Sequence, residues 1–409
     1  MSDFSSAPDL DLLPPGAAAA AVPALAAARR AGARTVCVLD VPQPDGTRLH
    51  WLDTVHARGW LSSESRINDI ASSGHGSHSN NSGHSSSAGS AGSGSGSGAN
   101  PVGAVDRGTA SRPEAHDVHG TRGAASERGD RFRRAFGEAR ARGFVGADSA
   151  ILAVLALDGA LPRLSWSEAP VFAVAAAVAG ERKPLGIYAL LESAARLREV
   201  LAAGVSTVQL RIKAPPQPDD AWRARLREAL QDGIVAAQQA GAELFVNDHW
   251  QEALALGAPG VHLGQEDLLA LGDAGRAALL GSGVALGVSS HSLWELCRAR
   301  ALAPRYIACG PVWPTTTKDM PWVPQGLDNL AWWCRMAQAP VVAIGGILTP
   351  EQVREAAACG ADGVCVVRGL GDAPARVLPA LQAAFAQGRA AVPTHAAAPG
   401  GPHPTLPVE

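Results

Sequence analysis

The chain of 409 residues is short of aromatic side chains, at 5%, and has no long apolar run. Its most apolar early stretch, Ala17 to Ala28, is brief, is interrupted by Pro23 and follows acidic residues. A membrane span needs about 20 apolar residues, and a secretory signal needs a basic start and a longer apolar core, so neither is expected. An excess of charge is also missing: 35 Lys and Arg against 38 Asp and Glu leave a net −3. That gives no electrostatic reason for a nucleic-acid or anionic-membrane partner. The six cysteines (Cys37, Cys297, Cys309, Cys334, Cys359 and Cys365) include no CxxC pair and no paired spacing. Free thiols, and a cytoplasmic location, are the expectation. What the chain does have is 46% hydrophobic residues and 45 glycines, with abundant alanine. Such a composition packs helices closely on strands, as α/β proteins do.

The length suggests two or three units. Residues 1–71 read as a partial α/β segment, with a buried strand over Arg34–Asp40 after a helical Ala/Arg run. From Ser72 to Gly98, 20 of 27 residues are Ser or Gly. That tract cannot bury enough apolar area to offset its ordering entropy, so disorder is expected, continuing in a polar stretch to Arg128. His75, His78 and His84 lie inside it and read as incidental rather than as a metal site. Residues 129–161 read as helical, with helices over Arg131–Gly143 and Ala147–Leu157, and 162–183 as a Pro-containing linker. The segment 388–409 reads as a flexible Pro- and Ala-rich tail.

Between residues 184 and 387 short apolar runs alternate with helical segments. The runs are 185–191, 207–213, 244–248, 261–265, 285–289, 306–312, 341–347 and 363–367. Eight βα units in about two hundred residues predict a parallel (β/α)8 TIM barrel, and such barrels work at the C-terminal ends of their strands. On the second strand, alternation turns Val208, Leu210 and Ile212 toward the helices and Gln209, Arg211 and Lys213 toward the mouth. Cations aimed into a barrel call for an anionic ligand or an internal ion-pair network, and the ligand is favoured. The third and fourth strands run into Asn247-Asp248 and Gln265-Glu266-Asp267. The two aspartates suit a hard cation such as Mg2+, or else cap the following helices. Ser289 ends the fifth strand, as a helix cap or as a ligand-binding hydroxyl. The sixth runs into Thr315-Thr316-Thr317-Lys318, whose hydroxyls and amine can meet phosphate. Gly345-Gly346 and Val367-Arg368-Gly369 follow the last two strands, where this fold commonly binds phosphate. No histidine is expected at a strand end with an acid to orient it, and His249 and His262 read as structural. Without a Ser-His-Asp or Cys-His set, the chemistry needs charge stabilisation of a leaving group.

The strings 209–213, 247–248, 260–267, 287–289, 310–318 and 344–347, in this order and spacing, resemble the thiamine-phosphate synthases. The resemblance covers about half the chain. It implies a transferase of thiamine biosynthesis that joins hydroxymethylpyrimidine diphosphate to a thiazole phosphate. It further implies a dissociative reaction: diphosphate leaves first, and the thiazole nitrogen captures a pyrimidine methylene cation. By resemblance, Gln209, Arg211, Lys213 and Asn247 bind the pyrimidine diphosphate, and Asp248 and Asp267 hold Mg2+. Ser289 and Lys318 contact the diphosphate or the pyrimidine, and Thr315, Thr317 and Gly346 bind the thiazole phosphate. Arg211, Ser289 and Lys318 are the catalytic candidates. Many members carry a serine where Arg368 stands. The alternatives are a thiazole tautomerase, a branch that generally lacks the intact diphosphate-binding set, and a catalytically silent precursor-binding barrel. The sequence leaves a homo-oligomer open.

In the N-terminal half, Gly129-Asp130-Arg131-Phe132, Ala135-Phe136 and Ala141-Arg142-Gly143-Phe144 resemble the C-terminal part of a ribokinase-like hydroxymethylpyrimidine phosphate kinase. Ser126-Glu127-Arg128 stands where glycines would bind phosphate, so a degenerate, inactive remnant is implied. Every synthase motif lies downstream, so removal of residues 1–161 is expected to leave activity largely intact.

Overall fold

A computed structural model describes residues 10–13, 33–63, 118–173, 184–316, 321–392 and 401–407. The Ser/Gly tract, the Ala/Arg run, Thr317 and Lys318 lie outside the described residues.

The barrel forms as expected. Strands β6 (Gly186–Leu191), β7 (Thr207–Leu210), β8 (Glu243–Asn247), β9 (Gly260–Leu263), β10 (Ala285–Ser290), β11 (Tyr306–Cys309), β12 (Val341–Ile344) and β13 (Gly363–Val366) close in sequence order, all parallel. Several strands stop short of the apolar runs that announced them. β11 ends before Gly310-Pro311, and β12 before Gly345 and Gly346, whose φ angles of +95° and +72° leave the extended region. β7 ends at Leu210, so the alternation that was to carry Lys213 to the mouth has already lapsed.

Local rules start the barrel helices. Ser193 caps α3 (Ala194–Ala202), Ser292 caps α8 (Leu293–Arg300), and Thr349 with Gln352 forms a capping box on α10 (Pro350–Ala358). Each cap oxygen accepts a backbone N–H that the helix itself leaves unpaired.

The N-terminal unit is a five-stranded sheet in the order β1 (Leu10–Leu13), β2 (Thr35–Pro42), β3 (Arg48–Thr54), β4 (Arg58–Ser62), β5 (Arg163–Leu164). Only β1–β2 is parallel. Helices α1 (Val118–Ala141) and α2 (Gly146–Asp158) pack on it. The helix over 118–128 corrects the disordered boundary expected at Arg128. Arg128 itself bonds the carboxylates of Asp40 and Asp158. The residues that suggested a kinase remnant serve packing here. Phe132, Phe136 and Phe144 are fully buried, while Asp130 pairs with its helical neighbour Arg133.

The unit is not a separate body beside the barrel. One continuous core runs through both, and α8 of the barrel is buried along its whole length. Trp166 donates to the Arg298 carbonyl at 2.8 Å, Arg300 donates to the Leu161 and Pro162 carbonyls, and Asp148 accepts the Trp294 N–H at 3.0 Å. The end of the expected flexible tail is seated too. His403 exchanges backbone bonds with the Asn329 side chain, its Nε2 meets the Gln325 carbonyl at 2.8 Å, and Thr405 is buried. Among the described residues, no helix is long and apolar enough to cross a membrane.

Candidate active site

A cavity of about 240 Å3 opens at the C-terminal ends of the barrel strands. Gln209, Arg211, Asn247, Asp248, Asp267, Ser289, Thr315 and Gly346 all line it. Eight of the eleven expected site residues therefore converge from six strand ends and loops. Lys213 does not line the cavity. It is solvent-exposed beyond the end of β7, which corrects the expectation from strand alternation.

Polar groups from five strands fill the space below the mouth. Gln209 donates to the Tyr188 hydroxyl at 3.0 Å, and the Tyr188 and Tyr306 hydroxyls lie 2.7 Å apart. His262 shares hydrogen bonds with the Tyr306 hydroxyl through Nδ1 (2.7 Å) and with the Ser289 hydroxyl through Nε2 (2.9 Å). Burial, helped by the nearby Arg211 and His291, pushes His262 down to about 3, so its imidazole is neutral at neutral pH. The ring is structural, as expected, but it also lines the cavity and orients Ser289. The cap alternative for Ser289 fails: Ser292 makes the α8 cap.

Asp248 sits at φ +64°, a left-handed conformation uncommon outside Gly, Asn and Asp. Burial and the neighbouring Asp267 raise its carboxyl pKa, against the pull of Arg211. Asp267, in the first turn of α6 (Gln265–Ala270), also accepts the backbone N–H of the N-cap residue Gly264 at 3.1 Å, so the cap alternative holds for this residue in addition to its place in the cavity. Among the described residues, no group of three or more His, Cys, Asp or Glu is placed to hold a metal ion.

On the opposite rim, Val312 N donates to the Ile344 carbonyl and Trp313 N to that of Gly345, at 2.9 and 3.1 Å. These bonds draw the segment leading to Thr315 against the end of β12. A Cβ at Gly346 would lie 2.6 Å from that of Trp313, and one at Gly345 2.6 Å from the Pro311 Cα. The glycine pair thus permits this close approach as well as presenting backbone at the cavity. Arg368, in a short 3-10 turn after β13, lines the same rim.

One site residue was missed. His291 follows β10, lines the cavity, and is oriented by Glu295, whose carboxylate accepts from both Nδ1 (2.8 Å) and the His291 backbone N–H (2.7 Å). This overturns the expectation that no strand-end histidine has an acid to orient it. The signal was readable: Ser292 as a cap places Glu295 one turn into α8, within reach of the residue before the cap.

A family model described as thiamine monophosphate synthase matches residues 187–370. The thiamine-phosphate synthase of Neisseria meningitidis is 42% identical over 205 residues, covering 49% of this chain and 95% of that protein. That of Yersinia pestis is 45% identical over 188 residues, covering 45% of this chain and 81% of the relative. A solved thiamine phosphate pyrophosphorylase from Pyrococcus furiosus is 26% identical, with a TM-score of 0.43, and covers 50% of this chain and 98% of its own. The barrel thus matches such relatives along almost their whole length, and the chain belongs to the thiamine-phosphate synthase family, whose members are transferases of thiamine biosynthesis.

Proposed function

We propose that the barrel joins hydroxymethylpyrimidine diphosphate to a thiazole phosphate, with release of diphosphate, and that the cavity binds both substrates. The observation that carries this reading is the division of the cavity into two rims. Arg211, Asn247, Asp248 and Asp267 line one, and Thr315, Gly346 and Arg368 the other.

The pyrimidine diphosphate takes the first rim, with Gln209 and Ser289 beneath it and Lys318 as a further cationic contact. The thiazole phosphate takes the second, where Thr315, Thr317 and the backbone around Gly346 offer hydrogen bonds to its oxygens. Held in line, the two partners gain the advantage of proximity. Arg211 and Lys318 stabilise the negative charge that grows on the departing diphosphate, and the Ser289 hydroxyl, fixed by neutral His262, donates toward it.

The fit to Mg2+ rests on the acids. The Asp248 carboxyl, whose proton affinity burial and the neighbouring Asp267 raise, is relieved by a divalent cation, and Mg2+ needs only one or two protein carboxylates when ligand oxygens and water complete its shell. Asp248 and Asp267 would hold it, and it would supply positive charge to the diphosphate. The test is thiamine phosphate formation by the purified chain with both precursors and Mg2+. No product with either precursor limiting would sink the proposal.

The His291–Glu295 pair favours a second reading, a thiazole tautomerase, because an imidazole oriented by an acid is a proton-transfer group. Isomerisation of the thiazole alone, without condensation, would support it over the first.

A further inference from the structure

The family match spans residues 187–370, yet side chains from outside it lead into the cavity. Thr54 shapes the turn between β3 and β4. Its hydroxyl donates to the Ala57 carbonyl at 2.9 Å and accepts from the backbone N–H groups of His56 and Ala57. This local fold fixes the backbone that carries His56. The His56 ring lies 5.2 Å from that of Trp294, the Trp294 ring 5.6 Å from that of Trp322, and the Trp322 ring 5.3 Å from that of His291. All three spacings fall within the range where aromatic rings interact. The last pair is stacked at 11°, and His291 lines the cavity.

The middle of this row is held from the N-terminal unit on two sides. Trp294 is buried, with His56 on its ring and the Asp148 carboxylate on its backbone N–H. Trp322 belongs to the segment between β11 and α9 (Gly326–Met336). The same segment returns to His291 through Gln325, whose Nε2 donates to the His291 carbonyl at 2.7 Å. His291 is therefore held at Nδ1 by Glu295, at its carbonyl by Gln325 and on its ring face by Trp322. With Nδ1 engaged, Nε2 is the nitrogen left for a ligand in the cavity.

We propose that His56 is a positioning residue for the transfer reaction: through Trp294 and Trp322 it holds the His291 imidazole in its working orientation. The proposal rests on the synthase reading above and adds to it His291, a cavity-lining group whose Nε2 meets the bound substrates as a hydrogen-bonding contact. It makes the N-terminal unit a working part of the active site without placing any of its atoms there. Loss of the His56 ring lets Trp294 and Trp322 relax, and the His291 ring then samples orientations in which Nε2 no longer meets the bound substrates.

Three full-length variants test this. His56→Ala should lower kcat about 3- to 10-fold, the scale of one lost ring contact. The KM values should change little, and the thermal midpoint should stay within roughly 2 °C. His56→Phe, which keeps a ring against Trp294, should restore most of the rate. In a Trp322→Ala background, His56→Ala should add nothing further, because the row is already broken. Wild-type kcat for His56→Ala, no rescue by phenylalanine, or additive losses in the double variant would each overturn the proposal. The His291 ring proton resonance, assigned by its loss in His291→Gln, gives a readout independent of turnover. Stacking on Trp322 shifts it, and His56→Ala should move it even if the wild type forms no thiamine phosphate. An unmoved resonance would overturn the positioning role; a moved one with no wild-type product would sink only the synthase reading.

Discussion

The barrel and the N-terminal unit both bury polar side chains, but they use them differently. In the N-terminal unit those groups satisfy one another. Asp158 is buried, which alone would raise its pKa, yet bonds from His50, Ser63 and Arg128 hold its carboxyl well below the usual carboxylate range. In the barrel, Gln209, His262 and Ser289 are anchored from below and present their remaining capacity to a cavity. A polar residue spent on its neighbours holds the fold together, whereas one that faces empty space at a strand end awaits a ligand. Among the residues that resemble a kinase, Phe132, Phe136 and Phe144 are fully buried and likewise hold the fold together.

The severest test of the division is to separate the two regions. Deletion of residues 1–161 was expected from the sequence to spare activity. The structure reverses that expectation, because α8 would lose its cover and Arg300 its Leu161 carbonyl partner. Each large apolar side chain uncovered costs about 1.5–3 kcal/mol, and several together approach the 5–15 kcal/mol that holds a typical domain. The truncated chain should aggregate or melt far below the full one in thermal denaturation. A well-folded, active truncation would restore the view of two independent parts.

Within the barrel, Lys318→Ala should lower turnover on the order of 10²-fold, with a smaller effect on thiazole phosphate binding. Steady-state kinetics read it, and near-normal turnover would make Lys318 a surface residue. Asp248→Asn and Asp267→Asn come next. Each should raise the Mg2+ concentration needed for half-maximal rate, while the cap lost at Asp267 should cost well under 2 kcal/mol of stability. A Mg2+ titration with an unshifted midpoint in both variants would remove the metal assignment.

The subtlest effect lies at the junction. Burial, with a contribution from nearby Glu295, raises Asp148 to about 8, although it accepts N–H bonds from α8. A folded-state pKa above the unfolded value near 3.9 means that the protonated form is favoured on folding. That contribution is complete below about pH 4 and is lost as the pH rises through about 8. Asp148→Asn keeps an acceptor for Trp294 without the charge. Its thermal midpoint relative to wild type should therefore climb between pH 5 and pH 9. A constant difference would show that Asp148 ionises without penalty.

Eight parallel strands could be read from the chain because short apolar runs and helical segments alternate, and that pattern is local. The ligand-facing set at their ends could be read for the same reason: in a closed parallel barrel, position along a strand fixes position at the mouth. Lys213 escaped this rule because β7 ends at Leu210, and strand length depends on the pairing neighbours rather than on the strand's own residues. His291 escaped because its orientation comes from the next helix and from a stacked tryptophan on another loop. The short strands β3 and β4 were missed because their pairing is settled by a sheet that closes with β5, about a hundred residues later. Sequence alone determined the barrel, its family and most of its polar mouth, because those signals repeat within a few residues. Only tertiary structure decided that the N-terminal unit covers α8, that residues 401–407 dock, and that His56 stands in a row of rings ending at the cavity. Those outcomes depend on contacts between segments far apart in the chain, which no local pattern encodes.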